Sequence, residues 1–284
     1  MAGRPTVRSR RLGAALKKYR LAAKFDQPQA AEVIANHQAR VSRIESGHVV
    51  ARPIEIRVLL AAYGVDNPEV CGRLEKLAKD ANRRGWWHEY AEQLRPDYVD
   101  HITLESDATR VQDWHPTIVP GLLQTAAYAE AVMRSGPMSL APERREFLVQ
   151  VRMRRQVKVA ESGTACEFII WEPVVVHPMS SAEVHREQLA ALLEAGQTEN
   201  VTIRVLPFSA AVLAGTTGFA AFSFGSEPTA EAVTVEHLGG TLVLDEPEDV
   251  APYVHTFDLL RSAAMTPEES ALIIRNALRS VDDH

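Results

Sequence analysis

Gln38-Ala39-Arg40-Val41-Ser42-Arg43-Ile44-Glu45-Ser46-Gly47 is the stretch on which the fold of the first third turns. Val41 and Ile44 lie three apart and Gly47 follows as a left-handed stop, so the spacing predicts a short helix over Gln38–Ser46. With those two residues turned inward, Gln38, Ala39, Ser42 and Arg43 face solvent. Such side chains suit nucleic acid: Gln pairs bidentately with adenine, Arg with guanine or phosphate, and Ser with either. Just upstream, Gln29–Ala35 reads as a helix of barely two turns, with Asp26 as its cap and Pro28 in its first turn. Asn36-His37 is the turn between the two. Ala30, Ile34, Val41 and Ile44 can hold the helices at a steep angle, and small Ala30 and Ala31 let the backbones approach. Short helix, turn and short helix have the size of a helix-turn-helix, which offers its second helix to the major groove.

The surroundings are helical as well. Leu12, Leu16 and Leu21 sit near helical spacing in Ser9–Ala23, with Arg and Lys on the other faces. Pro53 opens a helix over Ile54–Tyr63, stopped by Gly64, and Asn67-Pro68 opens a fifth with Val70, Leu74, Leu77 and Ala81 as its stripe. Charge separates this region from the rest. Residues 1–90 carry 17 Lys/Arg against 9 Asp/Glu, whereas the whole chain of 284 residues has a net charge of -6. A basic first third on an acidic remainder points to contact with a polyanion, although short helices also carry Lys and Arg for solubility. Arg8, Arg10, Arg11, Lys17, Lys18 and Arg52 are the residues expected to meet phosphates.

The Gln38–Gly47 string closely resembles the recognition helix of the lambda-repressor/Cro (Xre) family of DNA-binding domains, and the five-helix layout over residues 9–80 fits. The resemblance implies that Gln27 contacts a phosphate, that Gln38, Ala39 and Ser42 face bases, and that Arg43 lies near the DNA backbone. It also implies a structural pair between Glu45 and an arginine of the first helix, here Arg20. His37, Arg40 and Arg52 complete the expected DNA-contacting set. The departure is Ala35-Asn36-His37, where the family more often has Gly, an apolar residue and Ser.

From about Pro96 the texture changes. Helical stretches (98–112, 124–134, 142–160, 181–195, 248–264 and 267–280) alternate with β-branched runs at Ala165–Trp171, Val201–Leu206, Phe219–Phe224, Ala232–Glu236 and Thr241–Leu244. The last strands are joined by loops too short for helices, which favours antiparallel pairing. The expected fold class is an all-α helix-turn-helix domain over 1–66, a connecting helix and hinge over 67–95, and a larger α+β domain over 96–284 with a mostly antiparallel sheet. Trp86-Trp87 reads as a hydrophobic hinge between domains.

Arg83-Arg84-Gly85-Trp86-Trp87, Leu104-Glu105-Ser106-Asp107-Ala108, Val119-Pro120-Gly121-Leu122-Leu123-Gln124-Thr125 with Tyr128, Arg152-Met153-Arg154-Arg155-Gln156 and Val205-Leu206-Pro207 follow one another. In this order they resemble the C-terminal domain of actinomycete antitoxin-like, WhiJ-type regulators. That resemblance implies transcriptional control, often beside a gene for a small partner protein, and carries over no catalytic residue. Physically, Pro120-Gly121 is a turn and Thr125 a helix cap. The segment is either a corner packing Leu122 and Leu123 or the wall of a pocket or partner groove.

Leu148, Val151, Arg155 and Val159 share one helical stripe, so an arginine sits among apolar neighbours and needs a carboxylate. Glu105, Glu172 and Glu236 are the candidates. Glu105, Gln124, Arg152, Arg155 and Glu172 form the candidate ligand or partner site; a structural ion pair is the alternative. Glu172 with His177, or Glu236 with His237, could serve as acid/base pairs, but no His-x-x-x-His, Cys/His cluster or glycine-rich phosphate loop supports a metal, a cofactor or an enzyme. Two cysteines make no disulfide framework, and no apolar run reaches the length of a membrane helix, so the cytoplasm is expected. The reading is a sequence-specific transcriptional regulator binding double-stranded DNA as a homodimer. The alternative is an antitoxin-like protein that sequesters a small partner and binds DNA for autoregulation.

Overall fold

The computed structural model describes residues 5–81, 83, 85–136, 140–210, 215–225 and 229–282. Arg84 of the Arg83–Trp87 string, like both ends of the chain, lies outside the described residues. Two compact units form, Met1–Glu92 and Gln93–His284. No helix among the described residues is long and apolar enough to cross a membrane.

The first unit holds α1 (Val7–Ala22), α2 (Gln27–Val33), α3 (Gln38–Glu45), α4 (Pro53–Ala62) and α5 (Pro68–Asp80). Three of the five starts are fixed by a local side-chain cap. Thr6 Oγ1 accepts the Ser9 N–H at 3.1 Å, Asp26 and Gln29 form a reciprocal capping box at 2.8 Å each way, and Asn67 Oδ1 accepts from Glu69 N at 2.9 Å. Leu12 and Leu16 of α1, Ile44 of α3, Ile56 and Leu60 of α4, and Leu74 and Ala78 of α5 share one core. The helix expected to connect two domains therefore belongs to the first unit: its apolar stripe, through Leu74 and Ala78, packs into this core and closes it. Trp87, expected in a hinge, is likewise buried in this unit beneath the Arg8 guanidinium, 5.3 Å from its ring centroid.

The second unit runs α6 (Pro96–Asp107), β1 (Arg110–His115), α7 (Ala126–Ser135), α8 (Pro142–Ser162), β2 (Ala165–Trp171), α9 (Glu172–Val176), α10 (Ala182–Ala195), β3 (Val201–Leu206), β4 (Phe219–Ser223), β5 (Ala232–His237), β6 (Gly240–Leu244), α11 (Pro247–Ala263) and α12 (Pro267–Asp282). The six-stranded sheet has the order β3-β2-β1-β4-β5-β6. β1, β2 and β3 pair in parallel; β1 with β4, β4 with β5 and β5 with β6 pair antiparallel. The α+β class with a mostly antiparallel sheet holds. β1 replaces the end of the helix expected over 98–112. Its Val111, Gln112, Asp113 and Trp114 are all buried, so polar residues occupy both faces and no alternation marks a strand.

One sheet face carries Trp114, Ile169, Phe219 and Val233 against Phe257 and Leu260 of α11. On the other, His101 of α6 meets Thr234 and Phe222. Both sheet edges are capped. The Val205 N–H donates to Ser270 Oγ at 2.8 Å and Val205 O accepts from Met265 N at 2.9 Å; at the far edge the Thr241 N–H donates to Asp97 Oδ2 at 2.6 Å.

Candidate functional site

In the first unit, α3 is set by what lies beneath it. Any Cβ at Gly13 of α1 would run into the carbonyl oxygens of Ile44 and Glu45, so glycine there lets α1 and α3 touch. Gly47, at φ +75°, ends α3 against the backbone of Arg10. Ala30 and Ala31 of α2 and Val41 of α3 are buried with Leu59 and Tyr63. Between α2 and α3 the chain turns through Ala35 at φ +47°, a left-handed conformation that a β-carbon disfavours. The family-unusual alanine thus adopts the backbone a glycine would.

The expected Arg20–Glu45 pair is present and bidentate: Nε lies 2.6 Å from Oε1 and NH2 3.0 Å from Oε2, with both side chains buried. Gln27 Nε2 donates to the same carboxylate at 2.9 Å, and Gln38 Nε2 donates to Gln27 Oε1 at 3.5 Å. The pair thus fixes the start of α2, and through Gln27 the first residue of α3. Gln38, Ala39, Ser42 and Arg43 are exposed on one side of α3, with Arg43 Nε donating to Ala39 O at 3.2 Å. His37 is exposed too, at the N-cap of α3, and makes no side-chain cap there.

Arg40 departs from the expected set. Its Nε and NH2 each lie 2.9 Å from the Glu55 carboxylate, which is buried. Desolvation pushes Glu55 up, but Arg40 and Arg52 outweigh it and hold its pKa at about 2. Arg40 faces α4, opposite the exposed face of its own helix, and locks α3 to α4. Arg52 shares Glu55 at 3.1 Å while its side chain stays 67% exposed, so it can still meet a phosphate. Arg8 is buried, donating to Asp80 O at 2.9 Å and Arg83 O at 3.0 Å, and is no phosphate contact.

In the second unit the Arg155 partner is Glu105. Nε lies 3.0 Å from Oε1 and NH2 2.5 Å from Oε2; NH1 donates to Tyr98 OH at 2.8 Å. Arg155 NH2 also lies 2.9 Å from His101 Nε2, and since a guanidinium only donates, His101 accepts there and holds its proton on Nδ1, 2.9 Å from Thr234 Oγ1. Desolvation opposes ionisation of Glu105, yet the paired Arg155 guanidinium brings its pKa to about 2.

Gln124 and Arg152 also come together, with Arg152 NH1 donating to Gln124 Oε1 at 2.5 Å. The segment Pro120–Thr125 is a hydrogen-bonded corner. Gln124 Nε2 donates to Val119 O at 2.6 Å, Gln156 Nε2 to Gly121 O at 2.9 Å, Gln188 Nε2 to Leu123 O at 2.7 Å, and Thr125 caps α7. It is also a wall: Gly121, Gln124, Arg152 and Arg155 line a cavity over β1, β4 and β5. Glu172 is not part of it; its Oε2 accepts from Phe208 N at 2.6 Å. His237 Nδ1 accepts from Gly239 N at 3.1 Å.

Sequence reasoning missed Asp113, His101 and His115, which line the same cavity with Glu236. The signal was faint: His101 falls within the helix expected over 98–112, and Asp113 and His115 lie just past its end with no pattern of their own. Burial pushes the Cys166 thiol up to about 12, so it is no ready nucleophile. Among the described residues no group of three or more His, Cys, Asp or Glu could hold a metal ion.

Residues 11–70 match the family described as Helix-turn-helix domain, and residues 98–276 match the one described as Domain of unknown function (DUF5753). No curated protein and no solved structure matches the chain. Since the second match covers more than half of its length, the chain belongs to the DUF5753 family, with a helix-turn-helix domain ahead of it.

Proposed function

We propose that the protein is a sequence-specific, DNA-binding transcriptional regulator of the lambda-repressor/Cro type, working in the cytoplasm. Its C-terminal domain mediates dimerisation and responds to a ligand or a small protein partner. The observation that carries this reading is α3, which exposes Gln38, Ala39, Ser42 and Arg43 together while Arg20–Glu45 and Arg40–Glu55 hold it from behind. One such helix covers only a few base pairs, so useful affinity calls for two copies on half-sites about 34–36 Å apart. No catalytic step belongs to this reading.

The test is selection of duplexes from a random pool by the full chain. Enrichment of an inverted repeat with half-sites about one helical turn apart supports the reading. Absence of any enriched duplex, at low salt as well as at moderate salt, overturns it.

A second reading draws on the 63% exposure of Phe208, which stacks on Trp171 and leaves an aromatic face that a protein partner would cover. In it the second unit sequesters a small protein, antitoxin-like, and DNA binding serves autoregulation. Co-purification of one small protein in stoichiometric amount favours it.

A further inference from the structure

The cavity in the second unit is built into the sheet. β1 is the strand at which pairing changes from parallel, with β2, to antiparallel, with β4. In open sheets with crossover helices, ligands bind beyond the strand ends where the order switches. Asp113, Ala220 and Thr234 stand in one row across β1, β4 and β5. One pleat further along, His115, Gly218 and Glu236 line the same cavity. The middle strand therefore contributes only a methyl group and a hydrogen, leaving a hollow between polar flanks. His101, Arg152 and Arg155 form the opposite wall and Gly121 the rim.

Asp113 and Arg152, which both line this cavity, each hold one buried polar atom with no hydrogen-bond partner among the described residues. Asp113 is 6% exposed, and its Oδ1 accepts no hydrogen bond; the nearest basic group is His115 Nε2 at 3.6 Å. Arg152 Nε is buried and donates to nothing. Leaving such groups unpaired costs free energy, which native folds tolerate where something else supplies the partner. The carboxyl groups of Asp113 and Glu236 accept and the guanidinium of Arg152 donates, so the complement is a molecule that donates at one end and accepts at the other. The remaining charges agree. Glu236 lies on the Asp113 side, where desolvation opposes its ionisation but the basic groups lining the cavity hold its pKa low. Arg155 stands beside Arg152. The cavity measures about 40 Å³ and opens to solvent. At roughly 10–15 Å³ per water, that is room for a head group of a few heavy atoms and not for a nucleotide.

We propose that this cavity binds the head group of a free α-amino acid, its ammonium on Asp113 and Glu236 and its carboxylate on Arg152, with the side chain directed to the mouth. The inference rests on the proposed ligand response of the second unit and names its chemistry. Arg155 is neutralised by Glu105, so the carboxylate rests on Arg152. Asp113 is then a residue kept at a cost to stability, since burial pushes its pKa up and no hydrogen bond offsets the desolvation of Oδ1.

The test uses the full chain in thermal-shift and calorimetric titrations with the twenty proteinogenic amino acids at millimolar concentration. Each active one is matched with its N-acetyl derivative and its decarboxylated amine. One or a few amino acids should raise the melting temperature, and both matched analogues should bind at least tenfold more weakly. Asp113→Asn should melt at the same temperature or higher while losing the ligand shift. Glu236→Gln should weaken binding without unfolding. If no amino acid binds, or if the analogues or Asp113→Asn bind as well as the parent pair, the site assignment is overturned, while selection of DNA by the same protein stands on its own. If an amino acid binds and DNA affinity is unchanged in its presence, the site is supported and the ligand-response reading fails.

Discussion

Arg155 of α8 and Glu105 of α6 meet in a buried, two-point ion pair, 3.0 Å and 2.5 Å between their paired atoms, with less than a tenth of either side chain exposed. Tyr98 and His101 each take up one further guanidinium hydrogen, so α6 and α8 are joined through one polar knot beside the sheet. Pairing of this kind stabilises little against an apolar replacement of both partners, but removing one partner strands the other.

Arg155→Met should therefore destabilise the second unit by about 3–5 kcal/mol. In a calorimetric scan of the full chain, that transition should fall by roughly 10 °C while the one from the first unit stays in place. An unchanged scan would mean that Glu105 finds another partner.

Acid should unfold both units through the same physics. Glu105 and Glu55 titrate at about 2 in the folded chain, below the ~4.3 of an unfolded glutamate. Their contribution is complete above the unfolded value and is lost as pH falls through the folded one. Melting temperatures followed from pH 6 to pH 2 should drop most steeply below about pH 4.5. Glu105→Gln should flatten the drop for the second unit only.

Arg40 and Arg43 lie on one short helix with opposite tasks. Arg40→Met leaves Glu55 with only the exposed Arg52, and should cost the first unit about 1–3 kcal/mol while leaving the salt dependence of DNA binding unchanged. Arg43→Ala should leave stability alone, weaken all DNA sequences evenly and reduce the slope of log K against log salt by about 0.9 for each phosphate that Arg43 no longer neutralises. Denaturant melts and salt titrations on the selected duplex separate the two. The reverse pattern would exchange their roles.

Gln38→Ala should relax sequence preference at one position in each half-site, at about 1–3 kcal/mol of discrimination. Repeating the random-pool selection with this variant reads it directly. An identical preferred site would mean that Gln38 stays on Gln27, 3.5 Å away, when DNA is bound.

Ala35→Gly should stabilise the first unit. A left-handed alanine costs about 1–2 kcal/mol, and glycine gives back about 0.5–1 in unfolded-chain entropy, so a net gain up to about 1 kcal/mol is expected. A denaturant midpoint that falls would show that the turn is not strained.

Much of the architecture was legible because its determinants are local. Asp26, Gly47 and Asn67-Pro68 mark helix ends through hydrogen bonds and backbone angles that depend on neighbours in sequence. The β-branched runs at Ala165–Trp171 and Val201–Leu206 coincide with β2 and β3. The Arg20–Glu45 pair came from the resemblance of the Gln38–Gly47 string, and an arginine on the stripe of Val151 and Val159 foretold a buried ion pair without choosing its carboxylate.

The tertiary structure decided what depends on pairing between distant segments. Glu105 over Glu172 as the Arg155 partner, Arg40 inward on Glu55, and α5 within the first core all follow from which faces meet, and no local period encodes that. β1 is the clearest case. Buried on both faces, it carries Gln112 and Asp113 beside Val111 and Trp114, so the alternation that marks a half-exposed strand is missing. The same burial on both faces encloses Asp113 over β4, where Ala220 and Gly218 leave room, and only the register of β1, β4 and β5 brings those residues to one cavity.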